Sequence, residues 1–491
     1  MTHADLVSGN AYIRRSLYLA NGAVVVCLAL SLLTGLIALF QPEITPWAVA
    51  AISLANMAFC IKVGYPRALI SSHTSLPDFL AIYFVFAAIN KIFVITNATI
   101  SFDMVDSLDY LLLYGTPYNK FLAEMIFFCG HIFFYIGWTF IEGRRPQPHL
   151  TEISPKNLLL LSLMLLGLWK LSERVTTFAQ FSGFLNNAYL TVVYLLLVGR
   201  SRWGIGGRNE ILTMTLMLPG ILSAASSGIK ASIIAAAGPA ILANLVRPRG
   251  RGFVLLFLGA MALAGIVQPL SGVVREANWI RREQISTFEA FERLYEQYQQ
   301  RGSEVFYEGL KSFSSRASAS NDGATVVGVR DERGPIGLET IRNVPAAFIP
   351  RVLWPDKPII APGAWFTFYI GRAASPETAT SATATPLSTE FYWMSGWWSV
   401  ALGMALMGAY FSWIWGFMIR LASWNLPMLF AAFSTMGTAM TFDTLHAIYA
   451  ITGPPSVLGL VAPIAIAYHI LRKRRARAAQ RRWMEDAQPL R

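Results

Sequence analysis

Runs of about 17–25 apolar residues recur along almost the whole chain, and each has the length that crosses the hydrocarbon core of a bilayer. In lipid such a run is helical, because a helix satisfies its own backbone hydrogen bonds. The runs fall at about 17–40, 46–62, 78–97, 121–141, 157–172, 187–199, 211–227, 229–246, 252–271, 391–419, 425–443 and 449–471. They predict an all-α fold, a polytopic membrane helix bundle of about 12 transmembrane helices. One long polar interruption, residues 272–390, is expected to form a single large loop containing short helices. The chain thus divides into an N-terminal membrane bundle (1–271), the loop (272–390), C-terminal membrane helices (391–471) and a basic tail (472–491).

With 54% hydrophobic and 14% charged residues and a mean hydropathy of +0.46, an ordinary soluble enzyme is excluded. The net charge of +12 does not point to nucleic acid, because Lys and Arg sit between spans, where they set topology. Arg14, Arg67, Arg144, Arg202, Arg249, Arg420 and the tail from Arg472 to Arg477 fall on one side. On the other side the connections 41–45, 98–119 and 444–448 hold no Lys or Arg. Both termini are therefore expected to be cytoplasmic and the loop extracytoplasmic. Cys27, Cys60 and Cys129 lie within apolar runs without metal-ligand spacing and read as small buried hydrophobes.

The spans 157–172 and 187–199 are short and flank Phe178–Gly183, so a broken or re-entrant pair is an alternative there. Ser226-Ser227-Gly228 reads as a tight reversal on the outer side. Inside the loop Ile285, Phe288, Phe291, Leu294, Tyr295 and Tyr298 recur at three- and four-residue spacing, the pattern of an amphipathic helix on the membrane or on the bundle. Residues 312–335 and 373–389, rich in small and hydroxylated side chains, read as irregular and flexible.

Ionisable residues within or beside apolar spans are functional candidates by default. Lys91, Glu124 and His131 are three; Lys91 and Glu124 have a plainer reading as a pair across helices, and His131 as a satisfied core histidine. Lys170 and Arg174 stand one helical turn apart at the outer end of the fifth span, facing one cleft or snorkelling to headgroups. Lys230 follows the Ser-Ser-Gly reversal at a helix N-terminus, where backbone N–H groups favour an anion. The loop adds Arg275, Arg281, Arg342 and Arg351, with Lys357 in the rigid stretch Pro350–Pro358 around Trp354. Arginine suits the planar oxygens of phosphate and pyrophosphate. Glu390 marks the mouth of the tenth span; Asp443 and His446, three residues apart on one helical face, read either as a carboxylate-oriented imidazole expected to serve as a general base or as a local cap and hydrogen bond. No metal site and no dinucleotide or phosphate-loop motif is legible.

The order of these features, with Ser226-Ser227-Gly228-Ile229-Lys230, then Pro350-Arg351-Val352-Leu353-Trp354-Pro355-Asp356-Lys357-Pro358, then Thr385 to Glu390, Tyr392 and Gly396, resembles the Wzy-type oligosaccharide repeat-unit polymerases, relatives of O-antigen polymerases and ligases. The resemblance in topology covers most of the chain; the matching motifs are short, and the family's usual Arg is Lys230 here. It implies an inverting, metal- and cofactor-independent glycosyltransferase of the bacterial inner membrane. Its donor would be a polyprenyl-diphosphate-linked oligosaccharide, and its partners membrane lipid, a flippase and a chain-length regulator. Lys230, Arg275 and Arg351 would hold the departing diphosphate, and His446 or Glu390 would take the acceptor's proton. Ligase-like glycan transfer, a lipid-linked oligosaccharide flippase and a non-catalytic envelope scaffold are the competing readings.

Overall fold

The structure is a computed structural model that describes residues 45–71, 78–100, 116–142, 155–174, 179–199, 285–309, 319–349, 361–379, 385–422, 426–440 and 445–486, with isolated positions between them, among them 443. Every regular element among the described residues is helical. Helices α1 (Thr45–Ser71), α2 (Phe79–Ile100), α3 (Pro117–Ile141), α4 (Pro155–Arg174) and α5 (Ala179–Gly199) come first. Then follow α6 (Thr287–Arg301), α7 (Ser320–Arg333), α8 (Val344–Ala347), α9 (Pro362–Tyr369) and α10 (Leu387–Ser395). The chain continues through α11 (Trp397–Ala422), α12 (Leu426–Met440) and α13 (Ala447–Asp486). Among the described residues four stretches are long and apolar enough to cross a membrane: Thr45–Gly64, Pro117–Ile141, Trp397–Leu421 and Ala447–Leu471. The expected spans at 211–227, 229–246 and 252–271, most of 17–40, and the Ser226–Gly228 reversal lie outside the described residues.

The bundle is centred on α3 and α11, which touch backbone to backbone. A Cβ on Gly137 would lie 1.8 Å from the carbonyl oxygen of Ala405, and one on Gly408 2.0 Å from that of Phe134. Gly130 lies beside Met404, and Phe79, next to the Asp78 that sits at the C-terminal end of α3, packs on Trp138, Phe411 and Trp415, so the two helices run parallel. Close approach at small residues is how helices associate where lipid removes the hydrophobic advantage of large ones. Around this crossing Phe79 stacks on Trp138 and Phe411, at ring separations of 5.6 and 4.9 Å, which ties α2 to both. At one end of the group Arg67 grips Glu142 with two bonds of 2.6 Å and Asp78 with one of 3.0 Å. The end of α1, the start of α2 and the end of α3 therefore lie together, as an up-and-down order demands.

Three expectations are corrected. The stretch 320–333 is not irregular: it is α7, with Ser320, Gly323, Ala324, Thr325, Val326 and Val327 buried against α3 and α10. Its small residues signal close packing, since a Cβ on Gly323 would stand 3.1–3.2 Å from Ala123, Phe127 and Thr389. Likewise 385–389 is not a flexible gate; Thr385, Ser388 and Thr389 are buried, the last two in the first turn of α10. Third, Ala179–Gly183 is helical, so α5 is a 21-residue helix rather than a short span behind a loop.

The amphipathic loop helix is present as α6. Ser286 and Glu289 form a reciprocal capping box, and Gly302 closes the C-terminus. Ala290 and Leu294 bury against Leu270, Val273, Val274 and Val305, while Phe288 and Tyr295 stay exposed. Beyond the last apolar stretch α13 continues as helix to Asp486, through the basic segment read as a separate tail.

Candidate active site

Between α11 and α10 the chain turns at Gly396, whose φ of 80° belongs to the left-handed region. A Cβ there would also stand 3.1 Å from a guanidinium nitrogen of Arg330. Arg330 donates to the Tyr392 hydroxyl at 3.2 Å and lies over its ring at 4.3 Å, so α7 anchors α10 from one side. The turn separates α10 from the apolar stretch Trp397–Leu421, and so places Glu390 on a short buried helix of its own.

Glu390 is fully buried. Its Oε2 accepts the Thr385 hydroxyl at 3.1 Å and the backbone N–H of Ala447 at 2.8 Å. Ala447 opens α13, so the carboxylate sits at the positive end of a helix, on a donor that the helix itself leaves unpaired. His446 is the preceding residue; its carbonyl accepts the Ala450 N–H at 3.0 Å and starts the helix. Its Nδ1 meets the Thr385 hydroxyl and lies 3.9 Å from Glu390 Oε2. A hydroxyl has one proton. With that proton on Glu390, Thr385 accepts from His446 Nδ1–H, which fixes the tautomer and leaves Nε2 as the acceptor.

The other carboxylate oxygen, Oε1, is buried and completes no hydrogen bond, and neither does the buried Thr340 hydroxyl that faces the same carboxyl. Burial pushes the Glu390 carboxyl up to about 7, against the pull of the Ala447, Thr340 and Thr385 contacts. Burial pushes His446 the other way, down to about 4. Near neutral pH the imidazole is uncharged and the carboxyl is poised to gain or lose a proton at Oε1. Of the two candidate bases named from the sequence, Glu390 is the one whose proton affinity lies near neutral pH.

Asp443 does not orient His446 as expected. Its oxygens lie 3.0 and 3.2 Å from Nε2 of His131, and Tyr83 donates to it at 3.1 Å. The other ring nitrogen of His131 faces Asn56 Oδ1 at 2.7 Å. The reason is direction: the Asp443 carboxylate faces the bundle interior, where an imidazole and a phenol meet it, while His446 faces α10. Two turns along α3, Glu124 pairs with Lys91 at 3.0 Å and accepts the Ser53 hydroxyl at 3.1 Å, with both charges fully buried. The pairing of Lys91 with Glu124 and the satisfied state of His131 are thus observed.

The remaining expected cations divide. Arg342 follows the turn bearing Thr340 but points outward, 73% exposed, beside Glu339 at 3.4 Å. Lys170 stands over the Trp169 ring at 4.0 Å. Lys230, Arg275, Arg281, Arg351 and Lys357, and the side chain of Arg174, lie outside the described residues. Among the described residues no group of three or more His, Cys, Asp or Glu side chains converges as a metal site. Thr385 and Thr340 were not singled out as site residues. A threonine preceding Pro386 at a helix start is the one local signal for the first, and nothing in the sequence marks the second.

A family model covers residues 77–450, and with them Lys91, Glu124, His131, Glu390, Asp443 and His446. The chain belongs to DUF8712, a domain of unknown function. The DUF8712 match leaves out the segment of α1 that carries Ser53 and Asn56, so the family region holds both acid–histidine pairs but only part of their polar surroundings. No curated protein and no solved structure matches the chain.

Proposed function

We propose that this DUF8712 chain is a glycosyltransferase that polymerises polyprenyl-diphosphate-linked oligosaccharide repeat units at the outer face of a bacterial inner membrane. On this reading it is a polytopic bundle of about 12 spans with both termini cytoplasmic. The observation that carries the proposal is the buried Glu390, with one oxygen held by Thr385 and Ala447 and the other completing no hydrogen bond beside the Thr340 hydroxyl. The acceptor sugar's hydroxyl oxygen attacks the anomeric carbon of the donor glycan. A C–O bond forms there as the anomeric bond to the diphosphate breaks, with inversion. The hydroxyl proton passes to Glu390 Oε1, and the polyprenyl diphosphate leaves with the electron pair. Lys230, Arg275, Arg281, Arg351 and Lys357, with Arg342, Lys170 and Arg174 towards the rim, supply the positive charge that holds it. A flippase delivers the lipid-linked units, and a chain-length regulator is the expected partner.

The test is to incubate the purified protein in detergent with a lipid-diphosphate oligosaccharide and to resolve the products. A ladder of polymers that disappears in Glu390→Gln supports the reading. Transfer of a single preassembled glycan to another acceptor would replace polymerisation by ligation. No transfer to any acceptor by the folded wild type would reject glycosyl transfer.

A further inference from the structure

Asp443 and His446 belong to the same short link between α12 and α13, yet they look in opposite directions. Asp443, 8% exposed, faces inward to His131 and Tyr83. His446, and the amide of Ala447 beside it, face α10 and Glu390. The link is therefore pinned at both ends, and its inner pin is made entirely of side chains buried among helices. His131 is itself held on its far side by Asn56 of α1, and Tyr83 comes from α2. Two helices that take no part in the outer site, α2 and α3, thus meet on one carboxylate, with α1 behind His131.

We infer that His131, Tyr83 and Asp443 are positioning residues: their bonds inside the bundle fix the link that holds His446 and the Ala447 amide against Glu390. None of the three touches the reacting atoms. A helix N-terminus is free to fray, and the contacts of Ala447 N–H and His446 with Glu390 and Thr385 depend on where the first turn of α13 begins. Asp443 sets that start by tying the chain three residues earlier to two helices of the core. Cost points the same way. A carboxylate and an imidazole buried together are seldom worth more to stability than an apolar pair of the same shape, whereas they do impose one register. The groups facing the pair are Asn56 and Cys60 from α1, Tyr83 from α2 and, further along, Lys91 and Glu124.

The inference rests on Glu390 and His446 forming the reacting pair, so its test carries one arm that needs no turnover. Diethyl pyrocarbonate modifies neutral imidazole, and mass spectrometry of the intact membrane protein in detergent reports the rate at His446 separately. In the wild type His446 is 7% exposed and should react slowly. His131→Leu, which removes the donor to Asp443, should raise the rate at His446 roughly tenfold by freeing the link to open locally. His131→Gln, which can still donate to Asp443, should restore the slow rate. In the polymer assay His131→Leu should lower kcat by roughly a hundredfold with KM little changed, the signature of a misplaced catalytic group. Should His131→Leu fail to fold, Tyr83→Phe removes one bond to Asp443 and should move both readouts the same way by a smaller factor. Unchanged His446 labelling in the folded variant overturns the positioning role. If the wild type makes no polymer, the labelling arm alone decides, and the failure of glycosyl transfer is told apart from the failure of the positioning role.

Discussion

Two buried acid–histidine pairs lie at either end of one short link: Asp443 meets His131 directly at 3.0 Å, whereas Glu390 and His446 stand 3.9 Å apart and share Thr385. In the inner pair, both oxygens of Asp443 and both ring nitrogens of His131 meet polar partners. In the outer pair, Glu390 has one oxygen held twice and the other facing the Thr340 hydroxyl without a completed hydrogen bond. The same residue types thus give a scaffold in one place and a poised acid–base group in the other. What separates them is hydrogen-bond accounting, since an unmade bond on a buried carboxyl keeps a proton site open.

The largest break in that comparison is chemical. Glu390→Gln should abolish or cut polymer formation by roughly a hundred- to ten-thousandfold, the range for loss of a positioned base, while the folded protein survives. A variant that polymerises at the wild-type rate would move the base elsewhere. The largest structural break lies in the satisfied region. Lys91→Met strands Glu124 without its cation and should cost about 3–5 kcal/mol in a reversible unfolding measurement, whereas adding Glu124→Leu should recover most of it. Equal losses in the single and double variants would deny that the pair is a closed unit.

A pH series sharpens the contrast. Folded Glu390 keeps its proton up to about pH 7, while the unfolded chain releases it near 4.5. The native state therefore binds more protons across that window, and the contribution of Glu390 to stability, full below 4.5, is lost as pH rises through 7. His446 works in the opposite sense: its contribution is present above 6.5 and lost as pH falls through about 4. Comparing Glu390→Gln with the wild type isolates the first effect. The variant should gain, relative to the wild type, on the order of 3 kcal/mol between pH 4.5 and 8. A flat difference in thermal unfolding would show that Glu390 does not hold its proton in the native state. The smallest effect is a control away from both pairs. Ser286→Ala removes the cap of α6 and should cost about 1 kcal/mol of stability, with polymer formation unchanged.

The long apolar runs announced α3, α11 and α13, and the spacing of Ile285 to Tyr298 announced α6, because bilayer thickness and helical period are local constraints. The small, hydroxylated stretches misled. Composition cannot tell a mobile Ser/Gly/Thr segment from one whose small side chains allow close packing, and α7 with the start of α10 is the second kind. In the candidate site Glu390 and His446 were legible as ionisable residues at the edges of apolar runs. Their partners were not: Thr385 lies 61 residues from His446 in the chain, and Asp443 lies 312 from His131.

Hydrophobic length along the chain was enough to establish a helical protein with segments long and apolar enough to cross a membrane and ionisable groups at the ends of its apolar segments. Which carboxylate found which histidine was decided by packing. Buried charges must be matched across helices distant in sequence, and it is the packing of those helices that brings His131 within 3.0 Å of Asp443.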